Sequence, residues 1–212
     1  FYYITTMNEN YQQPQMPKGV EEDIIRGMYL LEDGNTKEFR VAKPINKGQR
    51  LRLLGSGTIL REVRNAAKTL RQEYSVEVDV WSVTSFNELR REALSVSRRN
   101  MFNPGKKPKV PFVTERLSSQ KGPVVAATDY MKAYSDQIRE FVPDTYRVLG
   151  TDGFGRSDSR EKLRNFFEVD SSFVVLAVLT ELNKLAIIDD KTLTTYFKKA
   201  EIDENKINPL DQ

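Results

Sequence analysis

Hydrophobic positions along this chain alternate between two spacings, and that alternation predicts the fold class. Short apolar or β-branched runs at Gly27–Glu32, Gln49–Leu54, Val76–Val83, Pro123–Ala127 and Tyr146–Leu149 read as strands. Between them the period lengthens to that of a helix. Ile59, Val63, Ala66, Ala67 and Leu70 share one helical face. Ser85 and Glu88 have capping-box spacing and open a helix to about Arg98. Asp129 is placed to cap a helix whose Tyr130, Tyr134, Ile138 and Phe141 fall on one side. Asp158 and Glu161 are spaced as cap and third residue of a helix ending near Phe167, Asp170 caps an almost wholly apolar helix to about Leu185, and Asp190 starts a last amphipathic helix to Ala200.

Turn signals punctuate the rest. Asp33-Gly34-Asn35 and Asn46-Lys47-Gly48 predict turns around a possible hairpin arm at Phe39–Ala42, and Asn103–Lys109 is a Pro/Gly/Lys loop. Strands separated by helical segments need crossover connections, so the sheet is expected to be mainly parallel with helices on both faces. The Phe1–Met7 run also reads as a strand, and Asn8–Gly19, with Pro14 and Pro17 among Asn and Gln, has linker composition. Because a domain seldom opens in mid-strand, residues 1–19 are expected to be the tail of a preceding domain plus a linker. Residues 20–212 are expected to form one α/β domain.

Composition adds constraints. Apolar residues make up 39% and charged residues 30% of the 212, an ordinary globular balance. The net charge of +3 arises from 33 basic and 30 acidic residues mixed along the chain, which does not point to nucleic acid. The absence of cysteine removes disulfide and thiolate chemistry and suits a reducing, cytoplasmic compartment. The absence of histidine removes the commonest general base and metal ligand. The N-terminal residues lack a basic segment and a long apolar core. The longest apolar run, Phe173–Leu179, has seven residues, far below the ~20 that span a bilayer.

Few constellations could carry chemistry. Gly55-Ser56-Gly57-Thr58 lies between a strand and a helix, where backbone amides can hold phosphate. A dinucleotide fingerprint wants glycine where Leu60 stands, so this reads as a tight turn with Ser56 or Thr58 as helix cap. The stretch Gly150–Arg160 joins glycines to Thr151, Asp152, Phe154, Arg156, Asp158 and Arg160 at the carboxyl end of a strand, where open α/β sheets place ligands. It reads as a domain or dimer contact loop, with Asp158 as helix cap, rather than a catalytic loop, because no base accompanies a nucleophile there. Arg90, Arg91, Arg98 and Arg99, with Lys106, Lys107 and Lys109, read as a solvated face, since no aromatic residues are interleaved. The apolar segment from Ser172 to Leu185 reads as core.

The Gly150–Arg160 string, together with Met7-Asn8-Glu9-Asn10-Tyr11, closely resembles the first, decarboxylating component of bacterial pyruvate dehydrogenases of the homodimeric type. Phe1-Tyr2-Tyr3, Leu53–Gly57, Ser82–Phe86, Ala127–Lys132, Tyr146–Gly150 and Phe167–Asp170 carry the same resemblance in collinear order. The resemblance implies the C-terminal domain of a transketolase-like enzyme: a three-layer α/β/α sandwich whose five-stranded sheet has its first strand antiparallel to the rest. It further implies a parent that binds thiamine diphosphate through Mg²⁺, decarboxylates pyruvate and reductively acetylates the lipoyl group of an acetyltransferase partner. The family's metal-binding Gly-Asp-Gly motif, its cofactor-activating Glu and its active-site histidines have no counterpart here. No catalytic, cofactor-binding or metal-binding residue is therefore carried over, and no cofactor is expected on this chain alone. The implied partners are the rest of the parent chain, a second copy in a homodimer, and the acetyltransferase component. In heterotetrameric relatives the corresponding domain binds that component's peripheral subunit-binding domain, so direct docking stays an alternative. Asn35–Gly48 is longer than the family pattern.

Overall fold

A computed structural model describes residue 1 and residues 7–211. The strand expected over Phe1–Met7 lies almost wholly outside the described residues. In chain order the elements are α1 (Glu21–Ile25), β1 (Met28–Glu32), β2 (Leu51–Ser56), α2 (Ile59–Glu73), β3 (Val78–Val83), α3 (Phe86–Met101), α4 (Phe112–Leu117), β4 (Val124–Ala127), α5 (Lys132–Asp136), β5 (Tyr146–Leu149), α6 (Arg160–Phe166), α7 (Ser171–Lys184) and α8 (Asp190–Lys199), with single 3-10 turns at Arg139–Phe141 and Pro209–Asp211.

The five strands form one sheet in the order β1-β3-β2-β4-β5. β1 runs antiparallel to β3, while β2, β3, β4 and β5 pair in parallel. Each parallel strand sends alternate side chains to opposite faces, and on β2, β3 and β4 nearly every residue is buried on both. Leu51, Leu53, Val78, Val80, Val125 and Ala127 point toward a core shared with α2 and α7. Leu54, Trp81, Val83, Val124 and Ala126 point toward a second core shared with α3 and α4. Burial on both faces explains why these strands read as apolar runs rather than as polar-apolar alternation.

The buried residues of α2 are the five that its spacing singles out: Ile59, Val63, Ala66, Ala67 and Leu70. Asp170 caps α7, accepting from the amides of Ser172 and Phe173, and Asp189 caps α8. Only half of the capping box at α3 forms. The Ser85 hydroxyl accepts from the Glu88 amide, while the Glu88 carboxylate turns outward to Arg91.

Four local expectations are corrected. Phe39–Ala42 is not a hairpin arm. The segment runs as irregular chain over α2, where the Phe39 ring lies 4.8 Å from the Arg71 guanidinium. The helix expected from Asp129 to Phe141 breaks into α5 and a 3-10 turn; Tyr130 and Tyr134 are exposed and only Ile138 and Phe141 are buried. Neither Ser56 nor Thr58 caps α2 with its side chain. The cap of α6 is Ser159, and Asp158 instead accepts from the Ser159 amide at 2.7 Å. Two helices, α1 and α4, go unpredicted, and α4 shows why. It follows Pro111, buries Phe112, Val113 and Leu117, and has its first amide bound by Glu92 of α3 at 3.0 Å. A cap supplied from a distant helix leaves no local signal.

Candidate functional site

The chain leaves β2 to form β3 on one side and returns to form β4 on the other, so the topological switch point lies between the carboxyl ends of β2 and β4. Here the turn after β2 meets the turn after β4. Gly57 takes a positive φ of 57°. The Thr58 hydroxyl donates to the Asp129 carboxylate at 3.3 Å. Gly55 permits the close approach of α2, because a Cβ there would stand 2.9 Å from Leu60 Cα. Asp129 thus bridges two crossover turns rather than capping α5.

A cleft of about 430 Å³ opens at this point, lined by Met7, Thr58, Asp129, Thr151, Arg156 and Arg164 among others. The Gly150–Arg160 loop forms its rim and is tied down in three directions. Toward the β4–α5 connection, the Thr151 amide donates to the Tyr130 carbonyl at 2.9 Å and its hydroxyl to the Asp129 carbonyl at 2.7 Å. The Asp152 carboxylate accepts from the Lys132 amide at 2.8 Å, which supplies the N-terminal partner of α5 that its own sequence lacks. Toward the C-terminus, Gly153 packs on the Pro209 carbonyl of the last turn. Toward the entering chain, Arg160 donates to the Asn8 side chain and lies 3.7 Å from Glu9. Arg156 stacks 5.2 Å from the Phe166 ring and Asp158 stays near the surface, 3.8 Å from Lys162. Phe154 makes none of these ties and is 79% exposed.

Sequence reasoning missed the role of Glu9. Its carboxylate accepts from Arg61 of α2 at 2.9 Å and from Arg164 of α6 at 3.3 Å. Arg164 also pairs with Glu62, whose other oxygen accepts from the Ser171 amide. Tyr11 lies 4.9 Å from the Arg61 guanidinium. The Met7–Tyr11 run is therefore clamped across the carboxyl end of the sheet, and its only sequence signal was the collinear resemblance. The hydrogen bond from Arg61 holds the Glu9 carboxyl below its usual value of 4.5, against an opposing burial contribution and with help from Arg164. A depressed pKa makes the clamp complete above the unfolded value and weak as pH falls through the folded one. Nitrogen-15 relaxation should find residues 7–11 as ordered as the sheet at about pH 6 and mobile at about pH 3. Glu9→Gln should leave them mobile at both. Identical relaxation at the two pH values in the unsubstituted chain would refute the clamp.

The remaining candidates are dispersed. Arg91 pairs with Glu88, Arg98 stacks on Phe102 at 4.3 Å, and Asn100 brackets the Lys-rich loop through both backbone groups of Lys109. Among the described residues no cluster of acidic side chains stands where it could hold a metal ion, and no helix is long and apolar enough to cross a membrane.

Comparison with known proteins identifies the family of this chain. The family model of the transketolase-like C-terminal domain matches residues 27–170. The pyruvate dehydrogenase E1 component of Pseudomonas aeruginosa is 58% identical over all 212 residues of this chain, which cover 23% of that relative. Its Escherichia coli counterpart is 50% identical over 210 residues, 99% of this chain and 22% of the relative. The chain thus spans just under a quarter of the length of these relatives. The transketolase structure from Campylobacter jejuni shares 22% identity with a TM-score of 0.46, covering 74% of this chain and 19% of its own. The chain belongs to the transketolase-like C-terminal domain family and is homologous to the C-terminal region of pyruvate dehydrogenase E1 components.

Proposed function

We propose that residues 20–212 are the bracing and assembly domain of a cytoplasmic, homodimeric pyruvate dehydrogenase. Residues 1–19 would then be the tail of its pyrimidine-binding domain and a linker. The parent enzyme would decarboxylate pyruvate with thiamine diphosphate and Mg²⁺ and reductively acetylate the lipoyl group of its acetyltransferase partner. The observation that carries this reading is collinear identity of 58% along the whole chain with a relative of which it covers 23%. The donors on this chain do not fit the cofactor: it has no histidine, and its described acidic residues form no metal-binding cluster. Thiamine diphosphate and Mg²⁺ are accordingly assigned to the part of the parent outside this chain, and no chemical step is routed through these residues.

What this domain would supply is a rigid support. The three-way tethering of the Gly150–Arg160 loop fixes the rim of the sheet's carboxyl end. Phe154, together with Tyr130, Met131 and Leu210 on the tethered segments, leaves an apolar edge exposed by 53–79%. That edge suits contact with the rest of the parent or a second copy. The 212-residue chain, supplied with pyruvate, thiamine diphosphate and Mg²⁺, is expected to release no carbon dioxide above a blank. The full parent carrying Phe154→Ser should lose dimer stability in sedimentation at low concentration. Turnover by the isolated chain would refute the reading, and an unaltered dimer would remove the assigned role of Phe154.

A further inference from the structure

A cavity distinct from the cleft at the switch point lies between the outer face of α2 and the irregular segment 33–49. It measures about 920 Å³ and is lined by the cations Arg40, Lys43, Arg61, Arg64, Lys68 and Arg71, against only two carboxylates, Glu32 and Glu38. Arg61, Arg64, Lys68 and Arg71 recur at helical spacing on the side of α2 opposite its buried residues. The long segment Asn35–Gly48 contributes the facing wall.

The cations are unequally satisfied. The buried Glu32 carboxylate holds Arg64 at 2.7 Å and Arg71 at 2.6 Å, so one negative charge answers two guanidinium groups. Arg61 shares Glu9 with Arg164. Arg40, Lys43 and Lys68 have no ionic partner among the described residues, and Arg71 keeps its Nε buried without a hydrogen-bond partner. Two half-buried rings, Phe39 and Tyr11, stand in the same walls, each already 4.8–4.9 Å from a lining guanidinium. Like charges gathered in a concave site repel one another unless an anion joins them, and a concavity raises the local concentration of such anions. The rings add a surface on which a planar group can stack beside the guanidinium groups.

We propose that this cleft binds a small phosphorylated ligand bearing an aromatic ring, of the nucleotide class. The phosphates would lie against Arg40, Lys43 and Lys68 and the ring against Phe39 or Tyr11. The site is separate from the carboxyl-end cleft and independent of the pyruvate chemistry assigned to the parent. The test is calorimetric titration of the full chain with ADP and, separately, with pyrophosphate. ADP is expected to bind saturably and more tightly than pyrophosphate. The double variant Arg40→Glu/Lys68→Glu, whose sites are exposed and unpaired, should melt as the unsubstituted chain does and bind ADP roughly tenfold or more weakly. Phe39→Ala should weaken ADP while leaving pyrophosphate affinity unchanged. The proposal is overturned if ADP gives no saturable heat, if the double variant binds it equally well, or if pyrophosphate binds as tightly as ADP.

Discussion

Replacing Arg52 by Met is expected to destabilise the fold by about 3–5 kcal/mol, as removal of one member of a buried charged network does. Arg52 sits on the central strand β2 with 1% of its surface exposed. Its guanidinium donates to the carbonyls of Leu117 and Gly122, to the Gln120 carbonyl at 2.7 Å, and to the Asp144 carboxylate at 2.7 Å. Leu117 closes α4, so one of these bonds answers a carbonyl left orphaned at a helix end. The others hold the connection into β4 and the approach to β5. Met matches the aliphatic stem but leaves three carbonyls and a carboxylate without their donor. Lys retains the charge without the fork needed to reach separated acceptors, so Arg52→Lys should recover less than half of the loss. Urea unfolding of the three proteins measures this. A loss under 1 kcal/mol for Arg52→Met would show that these carbonyls find other partners.

Arg52 also marks where legibility in the sequence ends. Nothing beside Leu51-Arg52-Leu53-Leu54 in the sequence accounts for its one charged residue, which is wholly buried because its partners come from segments 65 to 92 residues away. Patterns confined to one element read true: the apolar face of α2, the cap of α7, and the five strands to within two residues. What failed was local structure decided by a distant group. α4 is capped by Glu92, α5 by Asp152, and Asp129 is drawn from its expected capping role to Thr58. In each case the deciding group lies far along the chain from the residues it holds.

The candidate site divides along the same line. Loop position, strand ends and glycine content placed Gly150–Arg160 at the carboxyl end of the sheet, as parallel topology requires. The tethers of its individual residues were not legible, because each depends on which segment arrives opposite: the 130–132 turn, the 209 turn, or the Asn8–Glu9 run. Nor was the basic stripe on α2 read, although its spacing stood in the sequence. Attention to the apolar face of a helix passes over a charge pattern of the same period on the opposite side.

The two glycines of that loop should respond very differently to the same added methyl group. A Cβ on Gly150 would lie 2.7 Å from the Tyr130 carbonyl oxygen and 2.8 Å from the Lys132 amide. They lie where the connection from β4 enters α5, which Thr151, Asp152 and the Tyr146 hydroxyl bound to Ser135 hold against the sheet. The backbone there cannot yield without opening the parallel pairing of β4 and β5, so Gly150→Ala is expected to cost about 2–4 kcal/mol of global stability. At Gly153 the conflict is closer still, 2.3 Å from the Pro209 carbonyl oxygen at a φ of 104°. Its neighbour, however, is a single 3-10 turn that belongs to no strand or longer helix. Releasing that turn relieves the overlap at the lowest cost, leaving the backbone strain of about 1–3 kcal/mol that the loop can relax once freed. Gly153→Ala should therefore lower the melting temperature only slightly while amides of residues 207–211 and 151–157 exchange much faster. Gly150→Ala should speed exchange in β4 and β5 as well. Equal exchange profiles in the two variants would mean that the loop moves as one rigid piece, and would contradict the separate tethers seen along it.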